Sequence, residues 1–344
     1  MRSQNLLKDI GKELLILMQV EVDRKTVEIL KILSEFNEPV GARIIARKLR
    51  ERGYQLDERT VRYHLRILDE KGFTRNLGYA GRVITEKGLD EIRNALVKDR
   101  IGFIITKIES LIFRMNFDPE KLKGKVVMNT AFIDKKYHDE ALKVIKKVIR
   151  AGFSVSPYLK VVEEGESIGG RVVPEGKVLV ATMCSITLDG ILHHSGIPVS
   201  PRFGGVVQFL ERKPIRFTEL IEYSGSTLDP LELFSAKGLS RVINVVESGN
   251  GYILANIREI PMDALQKARE KLKQVEEIGI RGVLAIGQPN MPILGVPVSI
   301  NKAGLAFIGG MNPLAALSEL GIPIESKAID CLMEFEELLH VDEI

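Results

Sequence analysis

The stretch DERTVRYHLRILDEKG, Asp57 to Gly72, decides the fold of the first hundred residues. Wound as a helix at about 100° per residue, it puts Arg59, Arg62 and Arg66 within roughly 60° of arc. Val61, Leu65 and Leu68 gather on the other side. Asp57 suits an N-cap, Glu58 the first turn, and Gly72 the C′ position. Upstream, Arg24–Phe36 carries Val27, Leu30 and Leu33 at helical spacing, and NEPVG (37–41) breaks it. Ala42–Gly53 reads as a second helix burying Ile44, Ile45 and Leu49. Downstream, FTRNL and RVIT flank GYAG as a hairpin, and Glu86–Val97 closes the unit as a helix.

Three helices followed by a hairpin make a winged helix-turn-helix, whose third helix enters the DNA major groove. Its exposed side would present Arg59, Thr60, Arg62, Tyr63 and Arg66. Arginine reads guanine edges and also binds phosphate. The wing, with Arg75, Tyr79 and Arg82, would reach the backbone or minor groove. Charge placement agrees. Residues 1–98 hold 20 Lys+Arg against 15 Asp+Glu, the rest 29 against 31, and residues 42–82 alone 11 against 5. The positive charge therefore concentrates around the opening stretch, as expected for a polyanion partner. Solvation of an ordinary helix face and a protein-docking winged helix are the competing readings.

The chain has 344 residues and 45% hydrophobic content, enough for two or three cored domains. Cys184 and Cys331 are the only cysteines, which excludes a disulfide framework and a CxxC metal pair and makes a reducing cytoplasm the default. No apolar run suffices for a membrane span, and the N-terminus lacks a signal-peptide layout. The expected division is an amphipathic segment at 1–23, the reader at 24–98, a connecting helix or linker at 99–124, and an effector-sensing, dimerising domain at 125–344.

Residues 125–331 alternate β-rich and helical patterns, so the whole is α+β, the second part an α/β domain with mixed sheets. That part reads as internally duplicated. GIPVSPRFGGVVQF from Gly196 matches GVPVSINKAGLAFI from Gly295, VVMNTAFIDKKYHDEALKVIKKVIRAG resembles ILANIREIPMDALQKAREKLKQVEEIG, and LDPLELF resembles MNPLAAL. A duplicated unit invites a cleft between its halves. Ser200, Arg202, Gly204 and Gly205 from one copy, and Ser299, Asn301, Lys302 and Gly304 from the other, offer donors for a small carboxylate or phosphate. His193 and His194 are adjacent, so their side chains diverge and serve one metal poorly. They read as structural, or as contacts to one polar ligand. There is no P-loop, dinucleotide fingerprint, Ser-His-Asp order or paired-carboxylate motif, so no catalytic residue, metal or cofactor is expected.

The pattern GARIIARKLRERGYQLDERTVRYHLRILDEKG, followed by GRVITEKG, resembles the winged helix of the nitrogen-regulatory repressors of methanogenic and related archaea. HHSGIPVSPRFGGVVQF, STLDPLELF and GIPIESKAIDCLMEF look like that family's effector domain, and the resemblance covers about residues 24–335. It implies homodimers on palindromic double-stranded DNA operators, repression of nitrogen-fixation and ammonia-assimilation genes, and release by the dicarboxylate 2-oxoglutarate. Some family members carry two tandem effector domains and others lack the reader; this chain has one of each. The runner-up reading is an enzyme acting on a small anionic metabolite, with the winged helix as a regulatory attachment.

Overall fold

A computed structural model describes residues 25–36, 38–94, 103–169 and 171–344. The expected amphipathic segment at 1–23 lies outside the described residues, as does the end of the helix expected to reach Val97. The chain divides into two compact units, Met1–Asp99 and Arg100–Ile344.

The first unit is built as the hydrophobic spacing dictates. Helices α1 (residues 25–34), α2 (Ala42–Glu51) and α3 (Glu58–Glu70) enclose Ile29, Leu30, Leu33, Ile45, Leu49, Val61, Leu65 and Leu68. Asp57 caps α3 by accepting the Thr60 N–H at 2.7 Å. Strands β1 (Thr74–Asn76) and β2 (Arg82–Ile84) pair antiparallel as the wing, and α4 (Glu86–Asn94) follows. Val40 bridges to Arg82 so closely that a Cβ at Gly81, with φ +113°, would lie 2.5 Å from the Val40 carbonyl carbon. One core expectation fails. Ile44 is 40% exposed, because it lies about 100° round the helix from buried Ile45 and shares the outer side with Arg43 and Arg47.

The second unit opens with α5 (Phe103–Arg114), so most of the expected connector belongs to this unit's core. Then come β3 (Lys125–Asp134), α6 (His138–Arg150), β4 (Tyr158–Val162), the short hairpin β5 (Ser167–Ile168) and β6 (Arg171–Val172), β7 (Lys177–Met183), α7 (Ile186–His194), and the long hairpin β8 (Ser200–Leu210) and β9 (Lys213–Glu222). Helices α8 (Pro230–Ala236) and α9 (Val242–Ser248) lead to β10 (Gly251–Pro261), α10 (Leu265–Glu277), β11 (Val283–Ile286), β12 (Lys302–Ile308), α11 (Asn312–Glu319), β13 (Ile324–Glu334) and β14 (Leu339–His340).

Two five-stranded sheets result, ordered β13-β3-β7-β4-β14 and β11-β12-β10-β8-β9. Every pairing among the described strands is antiparallel, where mixed sheets were expected. In each β-α-β crossover a third strand separates the two parallel strands: β7 lies between β3 and β4, and β12 between β10 and β11. This is the β-α-β-β-α-β, ferredoxin-like arrangement, made twice.

The two copies exchange their ends. Strand β8 follows the first copy but joins β10 of the second, and β13 follows the second copy but joins β3 of the first. The helices before them cross too, so that α11 packs on α6 and α7 packs on α10. This topology corrects the expected repeat. The match of β3-α6 with β10-α10 holds. The counterpart of the Gly196 turn, however, is the GIPIE turn at Gly321, which also leads from a helix into an exchanged strand, whereas Gly295 lies in the loop between β11 and β12. Likewise α11 corresponds to α7 and not to the LDPLELF segment, which forms α8 between the copies.

Candidate nucleic-acid interface and effector cleft

On α3 the structure brings the reading residues onto one outer face. Arg59, Arg62, Tyr63 and Arg66 are exposed, while Thr60 is half-buried at the capped end. Arg62 reaches Glu58 at 2.5 Å and Arg66 reaches Glu70 at 3.7 Å. These are surface i,i+4 pairs of small worth, and phosphate can replace the carboxylates. Arg75 and Tyr79 are exposed on the wing. Arg82 is placed otherwise. Its Nε donates to Asp69 of α3 at 2.8 Å, and Asp69 also accepts the Thr74 hydroxyl at 2.6 Å. Arg82 therefore fastens the wing to the helix. Sequence reading overlooked Arg43, Arg47 and Arg50, exposed on α2, the helix that crosses the DNA backbone in such folds. It also overlooked His64, buried on the inner side of α3 and held below its usual pKa by burial and by Lys25.

In the second unit the expected effector residues do converge, but on a carboxylate. Glu259 of β10 lies opposite Ser200 on one neighbouring strand and Gly304 on the other. It accepts the Ser299 N–H at 2.9 Å and hydroxyl at 3.1 Å, and lies 3.7 Å from the Arg202 Nε. The Ser299 donors are therefore engaged, whereas the buried Arg202 Nε faces the carboxylate at ion-pair distance with no hydrogen bond among the described residues. Asn301 and Lys302 form the turn into β12, the Asn301 N–H bonding Asn290 at 2.6 Å. Gly205 and Gly304 leave room for the Glu219 carbonyl and the Ile293 side chain. His193 and His194 sit exposed at the end of α7, the latter 3.1 Å from the Ile112 carbonyl.

A better-formed recess lies where the two copies cross. There β7 passes through Cys184 and Ser185 into α7, and β12 passes through Gly309 and Gly310 into α11. A Cβ at Gly310 would lie 2.2 Å from the Met183 carbonyl oxygen and 2.7 Å from the Asn129 amide nitrogen, so only glycine permits this crossing. Each joint is pinned to an inner strand of one sheet, β3 for the first and β10 for the second. Thr187 accepts the Val127 N–H at 3.0 Å, and Asn312 holds both the N–H and the carbonyl of Leu254. The first turns of two helices thus open towards one small recess of about 10 Å³, room for one ligand oxygen or water.

Its lining is polar. Ser185, Asn256 and Tyr223 form a chain, with Asn256 donating to the Ser185 Oγ at 2.9 Å and accepting the Tyr223 hydroxyl at 2.5 Å. Asn129, the counterpart of Asn256, accepts the Ile329 N–H at 3.0 Å, which fixes its orientation and leaves its amide nitrogen buried with no partner among the described residues. Gly204 belongs here as well: a Cβ there would crowd Pro230 and the Tyr223 hydroxyl. Beneath lies a fully buried pair, Arg258 Nε on Asp189 at 2.7 Å. Burial pushes the Cys184 thiol up to about 12, which keeps it protonated. Burial likewise raises the Asp229 carboxyl, on the recess wall, to about 6.

Outside the recess lies a trough of about 380 Å³, sharing Asp229, Ala328 and Ile329 with it and lined by Lys107, Arg171 and Lys327 together with Glu232 and Glu325. Asp330 holds Arg171 and Lys327, each at 2.7 Å. Lys107 is pushed below its usual pKa, by burial first and by Lys327 second. The unpartnered amide and two helix N-termini at the base can receive a small anionic group, and the mouth carries cations and carboxylates side by side.

Residues 101–340 match the family model described as NrpR regulatory domains NRD1 and 2, and residues 27–92 match the winged-helix domain of ribonuclease R. A global nitrogen regulator NrpRI of Methanosarcina mazei is 42% identical over 94% of this chain and 100% of its own length. The chain belongs to the NrpR family. Global nitrogen regulators NrpR of Methanococcus maripaludis and Methanocaldococcus jannaschii are 36% and 35% identical; the chain spans 54% and 56% of their lengths. A crystal structure of a nitrogen repressor-like protein from Methanococcus jannaschii, 33% identical, superposes with a TM-score of 0.60 over 69% of this chain and 98% of its own. As an NrpR protein the chain is a nitrogen regulator and not an enzyme. Among the described residues no helix is long and apolar enough to cross a membrane.

Proposed function

We propose that this chain represses nitrogen-assimilation and nitrogen-fixation genes, binding palindromic DNA operators as a homodimer and leaving them when 2-oxoglutarate binds. The observation that carries the reading is the outer face of α3, where four side chains able to reach bases and phosphates stand together on a winged helix. One short helix covers few base pairs, so paired half-sites are the economical way to mark an operator. Relatives named as global nitrogen regulators support the biological setting.

The effector is placed in the crossing cleft. One carboxylate meets the Asn129 amide and the first turns of α7 and α11, and the other meets Lys107 and Lys327 in the trough. This cleft is favoured over the Ser200–Lys302 cluster because the unpartnered Asn129 amide lies beside two helix N-termini, whereas in the cluster the Glu259 carboxylate already takes the Ser299 donors and would repel a second anion. Selection of bound duplexes from random DNA, with and without 2-oxoglutarate, tests the reading. A palindromic consensus recovered only without ligand supports it. Recovery of no preferred sequence rejects it.

A further inference from the structure

Each five-stranded sheet of the second unit has two outer edges, and an open edge offers unpaired N–H and C=O groups to another chain. Three of the four edges are guarded. β9 carries Lys213, Arg216, Glu219 and Glu222, shifts register twice against β8, and gives its Phe217 N–H to the Leu294 carbonyl at 3.0 Å. β13 carries Glu325, Lys327, Asp330 and Glu334 and breaks register between Lys327 and Cys331. β14 is two residues long. β11 differs from all three. Among the described residues it pairs with β12 on one side and with no strand on the other, and its one register shift, between Val283 and Ala285, lies against β12. Its residues Val283, Leu284, Ala285 and Ile286 are apolar and half-buried. The counterpart of β11 in the first copy is β4, and there β14 is added antiparallel along the matching edge.

The surface next to this edge is uncharged. Residues 282–301 include no charged side chain, in a chain that is 28% charged. Met291 stands one turn beyond β11, its N–H on the Gln288 carbonyl at 3.2 Å. Ile300, 85% exposed, stands beside it, because the N–H of the next residue, Asn301, bonds the Asn290 side chain. Met262 joins them through its N–H on the Asn301 carbonyl at 3.1 Å. Three exposed apolar side chains, two of them adaptable methionines, thus adjoin the open strand.

We propose that β11 is the contact between two copies of this chain: it pairs antiparallel with β11 of a second copy across a twofold axis, so that two five-stranded sheets become one, with Met262, Met291 and Ile300 flanking the joint. The inference rests on the homodimer reading above and names its surface. A twofold contact sets one surface against itself, and an uncharged apolar edge does this without opposing like charges. A stable dimer buries about 1,200–2,000 Å² in total. A strand of four residues falls short of that alone, and the apolar side chains beside it extend the contact. Antiparallel pairing also brings Arg281, just before β11, near Gln288, just after it, on the other copy; both are exposed.

Sedimentation equilibrium of the full chain gives the dimer dissociation constant for the parent, for Met291→Lys combined with Ile300→Lys, and for Ile215→Lys combined with Leu220→Lys on β9 as the control edge. All four side chains are exposed, so the fold is kept. The first pair should weaken the dimer by about tenfold or more, and the control should leave it unchanged. Cross-linking reads the pairing itself. Arg281→Cys and Gln288→Cys proteins, mixed and treated with a short bis-maleimide, should give a covalent dimer. Either alone should stay at the background set by Cys184 and Cys331 in the parent, because the two copies of one position lie on opposite sides of the axis. A dimer left intact by the Met291 and Ile300 substitutions overturns the proposal, as does a mixture that cross-links no better than its parts; either leaves the homodimer reading standing. A parent that is monomeric at every concentration removes that reading and the proposal with it.

Discussion

Leu65 and Arg66 are neighbours in sequence and are expected to fail in opposite ways when replaced by alanine. Leu65 is fully buried in the reader's core, whose other members are mostly Ile, Leu and Val. Truncating such a residue costs about 2–5 kcal/mol. For a unit of this size each kcal/mol moves the melting temperature by about 4–8 °C, so the reader's transition should fall by at least about 8 °C. The Arg66 side chain is 70% exposed, and its partner Glu70 is 68% exposed at 3.7 Å. Losing that pair costs about 0–1 kcal/mol, and the melt should hardly move. On DNA the order reverses. An arginine reading a base edge contributes about 1–3 kcal/mol of discrimination, or roughly 5- to 150-fold in affinity. Calorimetric melts of the full chain and duplex titrations at one fixed salt concentration measure both effects. An Arg66→Ala protein, and likewise Arg62→Ala, that binds its operator as tightly as the parent refutes the assignment of the reading face. A Leu65→Ala protein with an unchanged melt shows that the two faces were assigned the wrong way round.

Arg82→Ala should behave as a structural lesion, lowering the reader's stability by about 1–3 kcal/mol through loss of its charged hydrogen bond to Asp69. The salt dependence of DNA binding, which counts phosphate contacts, should keep its slope; a slope reduced by about one unit would place Arg82 on the DNA instead. Asp229 is raised from 3.8 to about 6 by burial, so its neutral form is favoured in the fold; that stability is complete below the unfolded value and is lost as pH rises through about 6. Asp229→Asn keeps the helix cap, so it should match the parent near pH 4 and exceed it by up to about 3 kcal/mol near pH 8. Equal denaturant midpoints at both pH values would contradict this. Asn129→Asp should abolish 2-oxoglutarate binding by placing a carboxylate against the ligand's own, while Arg202→Ala and Lys302→Ala leave it intact. The reverse pattern in calorimetry would return the effector to the Ser200–Lys302 cluster.

The reader was legible in the sequence because its signals are local. The 3.6-residue spacing of Val61, Leu65 and Leu68, the Asp57 cap and the turn glycines each act within a few positions, and the structure realises them. Ile44 and Arg82 were misplaced for a different reason. Helical phase alone does not say which edge of an apolar stripe is covered, and the Asp69 partner of Arg82 lies thirteen residues away in sequence. The duplication was legible where a whole β-α segment repeats. The short turn motifs misled, since Gly-Pro pairs mark turns of any origin. Strand exchange leaves no local trace: β8 carries the pattern of a buried strand whichever copy it joins. The recess was hidden for the same reason. Asn129, Ser185, Asn256 and Gly310 meet only because the two joints cross, although the recurrence of Asn at matching places in the two copies was a signal available to be read.

The central claim, that a small anion in one unit controls DNA reading by the other, is tested most directly by titrating 2-oxoglutarate into free protein and into protein saturated with its selected duplex. The two affinities should differ by the factor by which saturating 2-oxoglutarate weakens duplex binding, with free protein binding the ligand more tightly. A tenfold factor corresponds to about 1.4 kcal/mol of differential binding. Equal affinity for both forms, however tight, would contradict the account.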